Sequence, residues 1–245
     1  MPAEVRSAVE KIWEEERNFE YDLIENAYKT IGSSCMLLEV GCGNLGLLTK
    51  EDRLVNLFNS SYGADIDIDA LAKNKQVKFK VGADCNNLPF KEGTFDIISC
   101  RWLFEHLERP ENTMKELSRV LNKRGYLYVH TPNLLNYAML ISKLTPLRFH
   151  TFVRGKEHEN CPTYYRANTK YKIKKLAHQN GLEIKHLSLR PYSYMYYSFS
   201  KHLFFAMKKV STYISKYCSW FNLKIVCLMQ KNGSTMDKKA NHRKS

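Results

Sequence analysis

The residues that decide the fold occupy positions 35 to 46 and read Cys35-Met36-Leu37-Leu38-Glu39-Val40-Gly41-Cys42-Gly43-Asn44-Leu45-Gly46. A short apolar run with an acidic residue near its end is followed here by three closely spaced glycines. Glycines after a strand let the backbone turn sharply and approach a ligand closely. We therefore expect a strand, a ligand-binding loop and then a helix whose apolar positions continue to Leu57-Phe58.

Strand and helix patterns alternate along the chain after this stretch. Strand patterns occupy about 62–67, 77–81, 95–100 and 125–130, and helical patterns lie between them at about 69–75 and 111–122. An amphipathic helix is also expected before the first strand, at about 3–30. Alternation of this kind predicts an open, mostly parallel α/β sheet, which binds ligands at the carboxyl ends of its strands.

Two further acidic residues stand at the ends of the next two predicted strands. Asp65 follows the glycine loop by about twenty residues, where a carboxylate can accept hydrogen bonds from both hydroxyls of a ribose. Asp84 ends the third strand, where a carboxylate can meet the amino group of an adenine. Acids at three successive strand ends are more specific than a glycine loop by itself, and together they predict a nucleoside-binding site.

Over residues 33–135 the chain resembles the class I S-adenosylmethionine-dependent methyltransferases of the type-11 group. The matching motifs are Leu38-Glu39-Val40-Gly41-Cys42-Gly43, Gly63-Ala64-Asp65-Ile66-Asp67, Gly82-Ala83-Asp84, Leu88-Pro89-Phe90, Gly93-Thr94-Phe95-Asp96, Phe104-Glu105-His106-Leu107, Glu116-Leu117-Ser118-Arg119-Val120-Leu121 and Thr131-Pro132-Asn133. Arg124-Gly125 replaces the usual Gly-Gly before the fifth strand, which changes only a turn. An NAD-type Rossmann loop ranks second, because such loops lack an acid two residues before the first glycine.

The resemblance implies a Rossmann-like α/β sheet of seven strands, mostly parallel with the last strand antiparallel. It also implies a helical N-terminal cap and insertions after strands five and six. The implied cofactor is S-adenosylmethionine, and S-adenosylhomocysteine is its product. By resemblance, Glu39, Gly41 and Gly43 line the methionine part of the cofactor, and Asp65 binds its ribose. The resemblance also implies that the adenine is contacted by Ile66, Asp84 and the Cys85 backbone. It places Arg101 where the cofactor and acceptor pockets meet.

Methyl transfer from a sulfonium is an in-line displacement, so the protein mainly aligns donor and acceptor and excludes water. A hydroxyl acceptor gains from a general base. The candidates are His106 first, then its neighbour Glu105 and the later His158, with His130 and His150 behind them and a structural role as the alternative for each histidine. Some relatives hold a divalent metal with an E-x-x-E-H cluster. Because Trp102 replaces the first acid of that cluster, we predict no metal site.

Charge is distributed unevenly along the chain. Residues 1–130 include 17 basic and 21 acidic side chains, a net charge of −4, whereas residues 131–245 include 21 basic and four acidic side chains, a net charge of +17. A basic half predicts an anionic partner, and a solvated basic face is the alternative. The seven cysteines form no CxxC pair, and the N-terminus has no apolar signal segment, so we expect a cytoplasmic protein.

The basic excess is strongest between Glu183 and Asp237, where the chain has no acidic residue. Patterns at 182–189 and 221–229 predict the last two strands, so the residues at about 192–217 form an insertion. If the insertion is helical, Phe204 and Phe205 form an aromatic face, and Lys208 and Lys209 lie at its edge. Three interpretations are open: a helix resting on an anionic membrane, an aromatic platform for RNA, and a lid or dimer surface.

These observations predict a single methyltransferase domain over 1–231 and a disordered basic tail over 232–245. Within the domain, 1–32 is the helical cap, 33–132 binds the cofactor and 133–231 determines the acceptor. The predicted function is O-methylation of a small-molecule, glycan or lipid-linked acceptor, with peripheral contact to an anionic membrane at about 192–217. An RNA methyltransferase and a non-catalytic S-adenosylmethionine-binding module are the alternatives, and nucleic acid ranks behind the other acceptors.

Overall fold

A computed structural model of the chain describes residues 1–32, 34–47, 54, 56–136 and 162–233. Three of the sequence predictions lie wholly or mostly outside these ranges: the helix after the glycine loop, the histidines at 150 and 158, and the C-terminal tail. Within the described ranges, seven strands form one sheet. They are β1 (Cys35–Val40), β2 (Phe58–Asp65), β3 (Phe79–Gly82), β4 (Phe95–Arg101), β5 (Leu121–Pro132), β6 (Leu182–Arg190) and β7 (Lys224–Lys231).

The order of the strands across the sheet is β3-β2-β1-β4-β5-β7-β6. Strands β1 to β5 pair in parallel, and β7 is antiparallel to both of its neighbours, β5 and β6. This arrangement confirms the predicted seven-stranded methyltransferase sheet with its last strand antiparallel. The order reverses between β1 and β4, and sheets of this type bind ligands at the carboxyl ends of the strands at such a reversal.

Five helices of six residues or more accompany the strands in the described ranges: α1 (Ala3–Ile31), α2 (Ile68–Lys73), α3 (Pro110–Val120), α4 (Lys170–Gln179) and α5 (Lys201–Tyr217). The side chains of Asp67 and Thr169 cap α2 and α4 by accepting backbone N–H hydrogen bonds. Helix α4 ends before Gly181, whose φ of +67° favours glycine. The helix expected to reach Leu57-Phe58 is wrong at its end, because Phe58 begins β2.

The core lies on both faces of this sheet. Helices α3 and α4 bury their apolar sides on one face. Helix α1 covers the other face, where Ile24 and Ala27 belong to the same buried cluster as Leu37, Ile97 and Tyr128 of the strands. Because these apolar contacts fix α1 along the sheet, the N-terminal half of α1 is held above the strand ends. The predicted helical cap is therefore a single 29-residue helix that is part of the core.

Helix α5 occupies the insertion predicted between the last two strands. Phe204 is fully buried in a cluster with Val5, Val9 and Ile12 of α1, and Phe205 packs against that cluster. The aromatic face identified in the sequence therefore points inward and joins α5 to α1. A different stripe is exposed, consisting of Leu203, Val210, Tyr213, Ile214 and Tyr217. None of the described helices combines the length and the apolar character needed to cross a bilayer.

Asparagine side chains fasten the end of β5 to the loop that precedes β7. The Asn133 amide donates to the backbone carbonyls of Trp220 and Asn222, at 2.7 and 2.8 Å. The Asn136 amide donates to the Phe221 carbonyl at 2.6 Å. Such amides satisfy carbonyls that a loop leaves without sheet partners. The Thr131-Pro132-Asn133 motif thus holds the insertion against the carboxyl end of β5.

Candidate active site

A cavity of about 290 Å³ lies at the carboxyl ends of β1, β2 and β4, and we call it the loop cavity. The glycine loop forms its floor, and Asp65, Ser99, Arg101 and Trp102 complete its walls. Gly41 and Gly43 have φ values of +69° and +46°, a left-handed conformation that other residues adopt at a cost. The glycines predicted to shape a ligand-binding turn therefore do so at the ends of the strands.

Glu39 supports the loop from below. Its side chain is buried, and the carboxylate accepts a hydrogen bond from the backbone N–H of Leu47. A Cβ atom at position 46 would overlap this carboxylate, so a larger residue there would displace the Glu39 side chain. The sequence places an acid at the end of the first strand, and the structure gives that acid the role of shaping the loop wall.

Asp65 joins the end of β2 to the same loop. One carboxylate oxygen accepts the N–H of Gly43 at 2.7 Å, and the other accepts the N–H of Asp67 at 2.9 Å. Each oxygen of an ionised carboxylate can accept a second hydrogen bond, so both can still bind a pair of hydroxyls. The carboxylate is partly exposed at the edge of the loop cavity, where such a ligand has access to it.

Ser99 gives a direct indication that the loop cavity receives a polar ligand. Its hydroxyl is buried and has no hydrogen-bond partner among the described residues, although it lies in the wall of the cavity. Buried hydroxyls are normally satisfied, because leaving one without a partner costs about 1–3 kcal/mol. A bound polar group would provide the missing partner.

A second cavity, of about 410 Å³, lies between α1 and the strand ends, and we call it the α1 cavity. Trp13, Arg17 and Glu20 line it from the helix, and Arg101, Trp102 and Lys224 line it from the ends of β4 and β7. The two cavities share Arg101, Trp102 and the segment 45–47 as a common wall. Groups bound in the two cavities would therefore be neighbours.

A buried cluster of charges connects α1 to the strand ends beside this common wall. The Glu20 carboxylate lies 3.1 Å from Arg101 Nε and 2.8 Å from His130 Nδ1. Glu16, one turn earlier, lies 2.6 Å from Arg190 Nη2 on β6. Burial alone would raise the pKa of Glu20, but His130, Arg101 and Lys224 outweigh burial and lower it to about 2. Burial lowers the pKa of His130, and the neighbouring Glu20 carboxylate acts against that change.

The structure brings five of the predicted cofactor residues together in the wall of the loop cavity: Glu39, Gly41, Gly43, Asp65 and Arg101. The other three lie outside that wall. Ile66 is 76% exposed beside it, and the Asp84 carboxylate accepts hydrogen bonds from Asn86 in the loop after β3. Cys85 is half-buried, and burial raises the pKa of its thiol to about 11. An adenine at this end would therefore lie on a surface rather than in a closed pocket.

None of the three described catalytic candidates, His106, Glu105 and His130, lines either cavity. His106 Nδ1 lies 2.9 Å from the Pro162 carbonyl oxygen, which can only accept, so Nδ1 carries the proton and Nε2 has the lone pair. Glu105 is buried and accepts the Thr131 hydroxyl, and burial raises its pKa to about 7. His158 lies outside the described residues. No group of three metal-ligating side chains occurs within the described ranges.

Glu16, Glu20 and Lys224 were missed in the sequence, although α1 contained a signal for two of them. The buried positions of α1 begin with Val5, Val9 and Ile12, and the same helical spacing continues to 16 and 20. Acids at positions predicted to be buried require cationic partners, so this pattern predicts ion pairs between α1 and the rest of the domain. No comparable signal marks Lys224, because the rings that surround it lie far away along the chain.

Residues 38–129 match a family model described as a methyltransferase domain. This segment of the chain is therefore similar to the methyltransferase domains of that family. The mitochondrial ubiquinone biosynthesis O-methyltransferase of Saccharomyces cerevisiae is 28% identical over 105 residues, which are 40% of this chain and 33% of that protein. The chain spans less than half the length of the curated relatives that it matches. The similarity in sequence is thus concentrated in the cofactor-binding part of the methyltransferase domain.

Solved structures extend the similarity in fold over most of the chain. An S-adenosylmethionine-dependent methyltransferase from Mesorhizobium loti is similar with a TM-score of 0.56 and 11% identity, over 84% of this chain and 96% of that one. Geranyl diphosphate C-methyltransferase from Streptomyces coelicolor A3(2) has a TM-score of 0.55 and 14% identity, over 89% and 77%. The methyltransferase fold therefore includes the last two strands, which lie outside the family match.

S-adenosylmethionine is the cofactor of this family, and the loop cavity fits it. Gly41 and Gly43, with their left-handed backbone, allow a ligand to approach the backbone closely. The Asp65 carboxylate offers hydrogen-bond acceptors to the two hydroxyls of a ribose, and the Ser99 hydroxyl can form a hydrogen bond with a polar group of the cofactor. When bound, the cofactor supplies a methyl group on a positively charged sulfur. The methyltransferase domain then has to hold that group facing the common wall of the two cavities.

The raised pKa of Glu105 gives a prediction on stability. Its folded-state pKa of about 7 lies above the ordinary value of 4.5, so the free energy of unfolding falls as pH rises through this window. We expect Glu105→Gln to remove this pH-dependent loss of stability. For a pKa raised from 4.5 to about 7, the loss in the free energy of unfolding is about 3 kcal/mol. Urea unfolding between pH 4.5 and pH 8 measures it. The exposed neighbour variant Glu108→Gln should keep the wild-type slope, and an unchanged slope for Glu105→Gln would contradict the burial argument.

Proposed function

We propose that the chain transfers the methyl group of S-adenosylmethionine to an oxygen atom of a small-molecule, glycan or lipid-linked acceptor. The observation that carries this proposal is the common wall of the loop cavity and the α1 cavity at Arg101 and Trp102. In-line displacement needs donor and acceptor side by side with water excluded, and two adjoining cavities provide that arrangement. Similarity to an O-methyltransferase over 105 residues supports an oxygen acceptor.

The cofactor is proposed to lie along the strand ends in one orientation. Its methionine part contacts the loop of Glu39, Gly41 and Gly43, and its ribose hydroxyls bind Asp65. Its adenine lies on Ile66, with its edge toward Asp84 and the Cys85 backbone. This orientation places the sulfonium near Arg101. The exposed surface of Ile66 and the accepting oxygens of Asp65 support it.

His106 is the proposed general base for a hydroxyl acceptor, and such an acceptor would have to extend beyond the two cavities to reach it, because His106 lines neither of them. Its Nδ1–H donates to the Pro162 carbonyl, which fixes the ring and leaves Nε2 able to accept a proton. Glu105 is its buried neighbour, and His158 stays a prediction. The sulfonium donor is already activated, so the base raises the rate of an otherwise feasible transfer.

The proposed ribose contact predicts the effect of Asp65→Asn on cofactor binding. The amide nitrogen cannot accept a hydroxyl hydrogen bond, and we expect the dissociation constant for S-adenosylhomocysteine to rise about 10-fold or more. Titration calorimetry measures it. The matched control is Asp69→Asn, four residues later on the exposed surface of α2, which should bind as tightly as wild type. Equal affinities for both variants would discard the orientation of the cofactor.

The reaction itself is tested by transfer of labelled methyl groups from S-adenosylmethionine into fractionated lipids, glycans, small metabolites and RNA of the host. We expect label in one of the first three fractions, and about 100-fold less of it with His106→Gln at unchanged cofactor affinity. The exposed residue His178 provides the control variant His178→Gln, which should label like wild type. Label confined to RNA would favour an RNA methyltransferase. Cofactor binding without label in any fraction would favour a non-catalytic module.

We further propose that α5 contacts anionic membrane surfaces. Its exposed apolar stripe includes Val210, Tyr213 and Tyr217, and the exposed lysines Lys209 and Lys216 adjoin that stripe. No acidic residue occurs in α5. Apolar side chains beside lysines on one helix match the chemistry of an anionic lipid interface. Such contact would bring the domain close to a lipid-linked acceptor.

Vesicle sedimentation tests this contact. We expect binding to vesicles of phosphatidylserine and phosphatidylcholine, and little binding to phosphatidylcholine alone. Lys209→Glu with Lys216→Glu should weaken binding by at least about 30-fold, since each basic residue near the surface contributes about 1 kcal/mol. Lys170→Glu with Lys172→Glu makes the same charge change on α4 and should retain more of the binding. Equal losses in the two double variants would mean that net charge, and not α5, controls binding.

A further inference from the structure

The α1 cavity contains a buried cation with no partner of opposite charge. Lys224 begins β7, is 4% exposed, and lies in the wall of the cavity. Within the described ranges its ammonium group makes neither a hydrogen bond nor an ion pair. Lys231, on the same strand, shows the usual alternative, because its ammonium donates to the carbonyls of Ser118 and Leu121. A buried ammonium group without acceptors is costly, so a ligand that offers an acceptor to Lys224 would be favoured in this cavity.

The neighbouring acids do not form an ion pair with Lys224. Glu20 is engaged by Arg101 and His130, and Glu16 by Arg190. Three cations at strand ends, Arg101, Arg190 and Lys224, therefore face two carboxylates, which leaves one positive charge in excess before His130 is counted. Burial lowers the pKa of Lys224, while Glu16 and Glu20 act against that change. An anion in the cavity would balance the excess charge.

Aromatic rings surround the ammonium and extend into the cavity. Lys224 Nζ lies 4.8 Å from the centroid of the Trp13 ring, 5.2 Å from Trp102 and 5.7 Å from Tyr192. These distances permit cation–π attraction, which holds the ammonium in place but provides no hydrogen-bond acceptor. Trp13 and Trp102 are 48% and 40% exposed, so each also offers an apolar surface to a ligand.

Trp102 is held firmly in the position that separates the two cavities. Its backbone N–H donates to the His130 carbonyl at 2.8 Å, and its φ is +55°, a left-handed value that is uncommon for a tryptophan. Its ring lies 4.7 Å from the His130 ring. A residue constrained in this way gives the α1 cavity a defined wall on the side of the loop cavity.

We propose that the α1 cavity binds a methyl acceptor that carries an oxyanion, a carboxylate or a phosphate, on the Lys224 ammonium group, with its planar or apolar part against Trp13 and Trp102. This proposal rests on the proposed methyl transfer, because it takes the α1 cavity as the acceptor site. It narrows the acceptor class to anionic molecules. Arg17, on the exposed side of the cavity, attracts the same group from solvent.

The test uses three probes of similar size on the full chain saturated with S-adenosylhomocysteine: benzoate, phenyl phosphate and the neutral benzyl alcohol. Ligand-observed NMR titration gives their dissociation constants. We expect at least one oxyanion to bind 10-fold or more tightly than benzyl alcohol, and the better of the two identifies a carboxylate or a phosphate. Equal binding of benzyl alcohol, or no binding of either oxyanion, would overturn the proposal.

Lys224→Met keeps the length of the side chain and removes its charge. We expect it to weaken oxyanion binding at least 10-fold while the affinity for S-adenosylhomocysteine stays at the wild-type value. Lys185→Met makes the same change at an exposed position of β6 and should alter neither. Unchanged oxyanion binding by folded Lys224→Met would also overturn the proposal. Should Lys224→Met fail to fold, Arg17→Gln at the exposed side of the cavity decides, with about 3-fold weaker oxyanion binding expected and wild-type binding against the proposal.

Failure of the proposed methyl transfer gives a different result. In that case the wild-type chain fails to transfer labelled methyl groups, whatever the probes do. If oxyanions bind and their binding depends on Lys224, but the chain transfers no methyl groups, then the α1 cavity is an anion site and not an acceptor site. That result would overturn the proposal that the bound anion is a methyl acceptor. If the chain transfers methyl groups but binds benzyl alcohol as tightly as benzoate, the proposed function stands and only the anionic acceptor is rejected.

Discussion

The ion pair between Glu20 and Arg101 is the interaction on which the functional part of this molecule depends. The Glu20 side chain leaves water on folding, whereas the Arg101 side chain keeps 30% of its surface exposed, so the buried carboxylate requires the guanidinium group more than the reverse. The pair also acts beyond itself. Glu20 fixes α1 over the ends of β4 and β5, and Arg101 Nη1 reaches the Gly46 carbonyl at 3.4 Å. One contact therefore positions the roof of the α1 cavity and the wall of the loop cavity together.

Helix α1 can hold this charge because its other turns are apolar. Near its C-terminal end, Ile24 and Ala27 pack on the sheet, and near its N-terminal end Val5 and Val9 pack against Phe204 of α5. The acids lie between these two apolar contacts, where β4 ends at Arg101, β5 approaches its end at His130 and β7 begins at Lys224. The N-terminal helix and the insertion after β6 thus form one cover over the strand ends. Because α1 and α5 lie outside the residues that match the family model, the acceptor site can differ from those of proteins that share the cofactor loop.

Much of the fold and about half of the site could be predicted. The alternation of apolar runs located all seven strands, and the glycine loop with its acids located the cofactor-binding edge. The prediction failed at Phe58, because an apolar residue after a helical pattern fits a helix or a strand equally well and only its pairing with β1 decides. The aromatic face of α5 was identified correctly as a face. Whether Phe204 points to solvent or to α1 depends on a helix about 200 residues away, which no local pattern contains.

The sequence by itself determined the parallel sheet, the turn at Gly41 and Gly43 and the cofactor, because each depends on residues within a few positions of one another. Only the tertiary structure decided the α1 cavity. Its wall combines Trp13, Arg101 and Lys224 from the start, the middle and the end of the chain. Charged side chains become buried only when distant elements supply partners and exclude water. That condition left Lys224 among aromatic rings and made an anion the complement of the site.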